Sequence, residues 1–172
     1  MAAQCYPSMN AVLIYPGTFD PPTCGHIDLV RRAVPLFGGM ILAVSVRSTK
    51  PLLFDIDERV EMLHAATRSI SGVMVKPFDG LLVDFARAMG AHALLRGIRA
   101  VSDMEYEFQM AMMNRMLSPD LQTVFMMPGE DYAYVSSSLI KDVACHGGDI
   151  STLVPPEVCE RLKRKFSKQV IP

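Results

Sequence analysis

Five short apolar runs separated by amphipathic stretches limit what this chain can fold into more than any other feature. They cover residues 11–15, 40–46, 73–75, 93–95 and 123–127. Each is too short for a buried helix and nearly free of polar side chains, the pattern of strands covered on both faces. After the first run Ile27, Val30, Ala33 and Val34 recur at helical spacing, and after the second Val60, Leu63 and Ala66 do the same. A third helix is predicted over 81–89, closed by Gly90. Asp55 with Glu58, and Ser102 with Glu105, have the spacing of capping boxes and mark two helix starts. Repeated strand-then-helix order calls for right-handed crossovers and a parallel sheet between helices. The expected fold is α/β: a single Rossmann-like domain, a five-stranded parallel sheet with helices on both faces. Pro155 and Pro156 break the chain before a last helix over 157–166, which is expected to pack across one edge of the sheet.

A chain of 172 residues fits one domain and not two. Residues 1–10 have no hydrophobic period and carry Pro7 and Asn10, so they read as a flexible leader to a domain over 11–168. Seventeen Lys and Arg against eighteen Asp and Glu give a formal charge of −1, leaving no bulk attraction for nucleic acid or an anionic membrane. An anionic ligand has to be captured by local geometry instead. The four cysteines, at 5, 24, 145 and 159, form no C-x-x-C pair, which argues against a disulfide framework or structural zinc and for a reducing compartment. Cys145-His146 and the basic stretch 161–168 are assigned to surface and helix-end structure rather than to a metal or nucleic acid.

In an open parallel sheet the ligand crevice lies beyond the carboxyl ends of the strands, where strand order reverses. The chemistry should therefore lie in the strand-to-helix loops. The first reads Tyr15-Pro16-Gly17-Thr18-Phe19-Asp20-Pro21-Pro22-Thr23-Cys24-Gly25-His26. Gly17 and Gly25 let backbone approach a ligand, the free N–H groups of the helix start form an anion site, and His26 points at a phosphate. Neither G-x-G-x-x-G nor G-x-x-x-x-G-K-[ST] occurs. Arg96 and Arg99 flank Gly97 after the fourth run, placing two guanidinium forks where neighbouring phosphates can be gripped. Ser136, Ser137 and Ser138 open another helix with hydroxyls and free N–H groups, and Lys50 follows the second run directly before Pro51. Each has a plainer alternative: a core histidine, surface arginines, a simple N-cap, a solvated lysine. Cys24 is either a small filler or a thiol whose pKa is lowered by the helix start and His26. The methionines concentrated in 104–116 belong to the core or to a subunit interface.

The first loop resembles the T/H-x-G-H signature of the nucleotidyltransferase superfamily, and Tyr15 to Pro21 is more specific still. Leu95-Arg96-Gly97-Ile98-Arg99-Ala100 with Asp103-Met104-Glu105-Tyr106-Glu107, and Val135 to Lys141, are similar to two further motifs of the phosphopantetheine adenylyltransferase family, together spanning about Tyr15 to Phe166. The resemblance implies transfer of AMP from ATP to 4′-phosphopantetheine, the penultimate step of coenzyme A synthesis, by direct in-line attack. It implies His26, Lys50 and Arg99 as catalytic residues, and Thr18, Lys50, Leu82 and Arg96 on phosphopantetheine. For ATP it implies Thr18, Phe19, His26, Gly97, Ile98, Arg99, Glu107, Tyr132, Ala133, Tyr134, Val135, Ser136, Ser137 and Ser138. Magnesium would bridge the ATP phosphates and keep most of its waters, so no metal held by the protein is expected. The family further implies a cytoplasmic homohexamer with no nucleic-acid or membrane partner. Val135 stands where isoleucine is usual and Tyr132 where some relatives carry tryptophan. Two other readings remain at this point: an acceptor such as nicotinamide mononucleotide, and a regulatory module that holds ATP without turnover.

Overall fold

The computed structural model describes residues 12–167; the leader over 1–10 lies outside them. In chain order the elements are β1 (Val12–Gly17), α1 (Cys24–Phe37), β2 (Met40–Ser45), α2 (Ile56–Thr67), β3 (Val73–Phe78), α3 (Leu82–Ala88), β4 (Ala91–Gly97), α4 (Val101–Leu117), β5 (Gln122–Met126), α5 (Ser137–Cys145) and α6 (Pro156–Ser167). One 3₁₀ turn, Glu130–Tyr132, precedes α5. Each of the five predicted apolar runs is a strand, and all pair in parallel in the order β3-β2-β1-β4-β5.

Side chains alternate across the sheet, so successive residues of β1 feed opposite cores. Leu13 and Tyr15, with Leu42 and Val44, pack under Leu29, Val30 and Ala33 of α1 and Leu63 of α2. Ile14, with Ile41, Ala43 and Leu94, packs against Val83 and Ala86 of α3. Complete burial of such aliphatic side chains stabilises by about 1.5–3 kcal/mol each. Three strands are thus covered on both faces as expected. The edges differ: β3 buries only Val75, and β5 is half-exposed along its length, because an edge strand has a neighbour on one side only. Pro77 is tolerated inside β3 for the same reason.

Two expectations need correcting. The final helix does not cross a sheet edge; Val158 and Leu162 of α6 join Met62 of α2, Ile140 of α5 and Phe54 in a third core. Ion pairs Lys165–Glu58 (2.9 Å) and Arg161–Glu61 (2.7 Å) fasten α6 to α2. Asp55 does cap α2, accepting the Glu58 N–H at 2.8 Å while Glu58 accepts the Asp55 N–H at 3.1 Å. Ser102 caps nothing: α4 begins at Val101 after Ala100, without a side-chain cap. The Asp103 carboxylate accepts the Arg99 N–H (3.3 Å) and Arg99 guanidinium (3.1 Å), closing the turn one step upstream of Ser102.

Strand order places the functional region. The chain winds outward from β1 to β3, then returns to lay β4 against the other side of β1, so the reversal falls between the carboxyl ends of β1 and β4. Gly97 ends β4 there because α1 passes close by; a Cβ on it would lie 2.7 Å from Leu29 Cδ1.

Candidate active site

At that reversal lies a cleft of about 370 Å³, walled by the β1–α1 loop, the loop after β2, the end of β4 and the start of α5. Thr18, Phe19 and His26 line it from the first loop, Lys50 from the second, and Arg96, Gly97 and Arg99 from β4. Tyr132, Val135 and the three serines 136–138 close the far wall.

His26 is held by the cap of its own helix. Thr23 is the N-cap of α1, and the residue three positions on, usually Glu or Gln in a capping box, is here His26. The Thr23 N–H donates to His26 Nδ1 at 2.9 Å, and the Thr23 Oγ1 lies 2.9 Å from the same nitrogen. A nitrogen accepting a backbone N–H carries no proton, so the neutral ring bears its proton on Nε2. Burial, with Arg99 and Arg96 nearby, pulls the His26 pKa down to about 4, so the ring is a neutral donor at pH 7. Phe19 packs edge-on against it at 5.1 Å and against Tyr15 at 5.4 Å. Phe19 has φ +50°, a conformation side chains seldom adopt, and its ring fills the space a Gly17 Cβ would need, at 2.9 Å. Gly17 therefore makes room for Phe19, and it also lines the cleft, where its position in the loop brings backbone toward a ligand.

The arginines are already partnered. Arg96 forms a two-pronged pair with Glu107, 2.6 Å on each arm, and donates to the Pro16 carbonyl at 3.0 Å. Arg99 pairs with Asp103 and donates to the Val135 carbonyl at 3.1 Å, tying β4 to the start of α5. Each guanidinium retains two of its five N–H donors for a ligand. The serines divide similarly: Ser136 caps α5 by accepting the Leu139 N–H, and Ser137 donates to the Pro21 carbonyl at 2.8 Å. The Ser138 hydroxyl and the unpaired N–H groups of the first turn remain toward the cleft.

A second chamber of about 250 Å³ opens beside the first and shares Pro16, Gly17, Thr18 and Arg96 with it. Phe78, Leu82 and Met110 make its wall apolar, and Asn114 of α4 contributes an amide to the lining. Leu82 and Glu107 are in this chamber, so Glu107, expected at the nucleotide, faces the other side of Arg96. Ile98 is buried, and neither it nor Ala133 nor Tyr134 lines the cleft; Tyr134 is 64% exposed. Burial pushes the Cys24 thiol up in pKa, against a smaller opposing effect of Arg31, so the filler reading of Cys24 stands.

Sequence reasoning missed four residues. Asp20, 4% exposed, accepts the Leu53 and Phe54 N–H groups and pairs with Lys141 at 2.8 Å. Lys141 was legible only as a cation one turn beyond Ser137. Arg59, 1% exposed, occupies the inward stripe of α2 one turn before Met62 and Leu63, where a charge is itself a signal. Asn114, the one buried residue of α4, had no signal beyond being polar in a run of methionines.

Fold and site together define a nucleotidyltransferase of the α/β type. A family model described as cytidylyltransferase-like matches residues 14–143. The chain is 52% identical to the phosphopantetheine adenylyltransferase of Heliobacterium modesticaldum, over 92% of this chain and 95% of that protein. It is 52% identical to the phosphopantetheine adenylyltransferase of Moorella thermoacetica, over 90% of this chain and 97% of that one. Among solved structures, nicotinic acid mononucleotide adenylyltransferase of Plasmodium falciparum, complexed with NaAD, superposes with a TM-score of 0.68 at 13% identity, covering 90% of this chain and 95% of that one. That likeness speaks for the fold alone. The chain belongs to the cytidylyltransferase-like family and, within it, to the phosphopantetheine adenylyltransferases.

Proposed function

We propose that the protein transfers the adenylyl group of ATP to 4′-phosphopantetheine, giving dephospho-CoA and pyrophosphate. The observation that carries this reading is the meeting of two unlike chambers at Thr18 and Arg96. The larger, cationic chamber suits a nucleoside triphosphate. The smaller suits a flexible arm with amide groups, which Asn114 can hydrogen-bond while Leu82 and Phe78 cover its methylenes. An oxygen of the acceptor phosphate attacks the α-phosphorus in line, the bond to the bridging oxygen breaks, and pyrophosphate leaves with that electron pair. The nucleophile is already ionised, so catalysis reduces to positioning and charge neutralisation.

In this scheme Thr18, Lys50 and Arg96 hold the acceptor phosphate. His26 donates its Nε2 proton as a hydrogen bond to the α-phosphate as charge builds there. Arg99, Ser138 and the first turn of α5 hold the β- and γ-phosphates, and Phe19 and Tyr132 flank the nucleotide. Asp20 is the one carboxylate among the described residues lining the cleft, and two N–H groups and Lys141 already occupy it. The cleft thus offers no free carboxylate to magnesium, which would be held by ATP's own phosphates and would supply charge neutralisation on the triphosphate.

Helix α4 supports an assembly of copies. It buries only Asn114, while Met112, Met113 and Met116 are exposed, the last by 69%. A contiguous apolar face of this kind marks an interface, and the reading here is a homohexamer packed through α4. No helix among the described residues is long and apolar enough to cross a membrane. The three described cysteines are unpaired, which suits the cytoplasm.

The deciding experiment is pyrophosphate release from Mg·ATP by the purified protein with 4′-phosphopantetheine, with nicotinamide mononucleotide, or with no acceptor. Release confined to phosphopantetheine is expected. Equal release with the mononucleotide would move the chain to the other acceptor class, and binding of ATP without any release would make it a regulatory module.

A further inference from the structure

Arg59 lies outside both chambers, yet it touches the two segments that carry Thr18 and Lys50. Its Nε donates to the Phe54 and Asp55 carbonyls, both at 3.2 Å, and its Nη1 donates to the Thr18 and Ser45 carbonyls, both at 2.8 Å. Thr18 is on the first loop, Ser45 ends β2, and Phe54-Asp55 ends the loop that carries Lys50 and begins α2. The same short segment is gripped from its other side, since Asp20 accepts the N–H groups of Leu53 and Phe54 at 3.0 and 2.9 Å. Carbonyls bind a buried cation on one side and N–H groups bind a buried carboxylate on the other. Both ions then tie back to the loop of Thr18.

We propose that Arg59 is a positioning residue: by holding the Thr18, Ser45 and Phe54 carbonyls together it sets the spacing of Thr18 and Lys50, and so the grip on the acceptor phosphate. This rests on the reading that Thr18 and Lys50 hold that phosphate. Only a planar fork reaches carbonyls from three segments at once; a lysine ammonium is a point donor and must abandon one group of them. A displacement of about 1 Å in a reacting group costs up to about 100-fold in rate. The ATP side, held by Arg99 and the start of α5, has no direct bond to Arg59, so ATP affinity serves as the control.

The test uses Arg59→Gln and Arg59→Lys in the full chain. Steady-state constants for the acceptor, equilibrium binding of ATP alone and thermal melting are measured together. The acceptor KM should rise about tenfold and kcat fall, with ATP affinity within about twofold of wild type. Arg59→Lys combined with Lys50→Ala should cost less than the product of the two single effects, because both act on one contact. Loss of ATP affinity in step with acceptor affinity, a lowered melting temperature with unchanged kinetic constants, or multiplicative effects in the double variant would each overturn the proposal. Arg59→Lys keeps charge and length, and carries the test if Arg59→Gln does not fold. If the wild type uses another phosphate acceptor, the substrate reading fails, while the same split measured with that acceptor still decides the role of Arg59.

Discussion

Helices α1 and α4 both leave the sheet at the point where its strand order reverses, one on each side of the cleft, and they are built in opposite ways. Helix α1 starts on a complete capping box and turns Ile27, Leu29, Val30 and Ala33 inward against the sheet. Helix α4 starts on Ala100 without a side-chain cap, buries Asn114 alone and shows Met112, Met113 and Met116 to the outside. The His26 side of the site is thus fixed by the chain's own packing. The opposite side has for a wall a helix whose outer face is uncovered among the described residues.

The largest effect should come from the self-contained half. His26→Ala is expected to lower kcat by about 100-fold or more while ATP affinity stays within about twofold, as pre-steady-state kinetics and equilibrium binding would show. Loss of ATP affinity with kcat unchanged would mean that His26 binds ground state and transition state alike. On the α4 side, Glu107→Gln removes one charge from the fork that orients Arg96. A charge-assisted hydrogen bond contributes about 1.5–3 kcal/mol, so acceptor KM should rise about tenfold or more, with ATP binding unchanged. Thr23→Val deletes the α1 cap oxygen; calorimetry should find a loss of about 1 kcal/mol, and kcat should fall further than that small loss of stability accounts for. Met113→Glu with Met116→Glu should reduce the assembly mass measured by light scattering and raise acceptor KM a few-fold, leaving ATP affinity untouched. Unchanged mass would remove α4 from the interface and with it the contrast between the helices.

A separate effect, visible only in acid, concerns pH. The folded pKa of His26, about 4, lies below its unfolded value of about 6.5. Between these values the unfolded chain binds the extra proton, so stability rises with pH across that window and is lost as the solution is acidified through it. Above about pH 6.5 the contribution is constant. Denaturant titrations of wild type and His26→Gln should diverge in their pH dependence only between about pH 4 and 6.5, and the wild-type rate should show no limb near pH 6.5 from this ring.

What could be read from the sequence followed local chemistry. The strands were legible because a buried strand needs an uninterrupted apolar run, and the first loop because glycines, prolines and a histidine crowd around one helix start. What stayed hidden depended on partners far apart in the chain. Arg59 shows in the sequence only as a charge on the inward stripe of α2, and its purpose stays hidden until the Thr18 carbonyl, 41 residues away, is beside it. The Asp20–Lys141 pair spans 121 residues. Glu107 could be placed near the site by its motif, but only the fold shows that it faces the second chamber and holds Arg96. Ser102 misled because capping spacing ignores competition, and Asp103 had already closed the turn for Arg99.

The empty place at Gly97 works as a feeler gauge. Leu29 Cδ1 is pressed into the space a methyl would take, and Leu29 lies one helical turn beyond His26. Gly97→Ala would push on that methyl alone, the free end of a side chain that can swing aside, so the mismatch is taken up at the tip of Leu29 rather than by moving α1. The clearance is a machinist's, set by an absent atom, and its slack lies in one side chain.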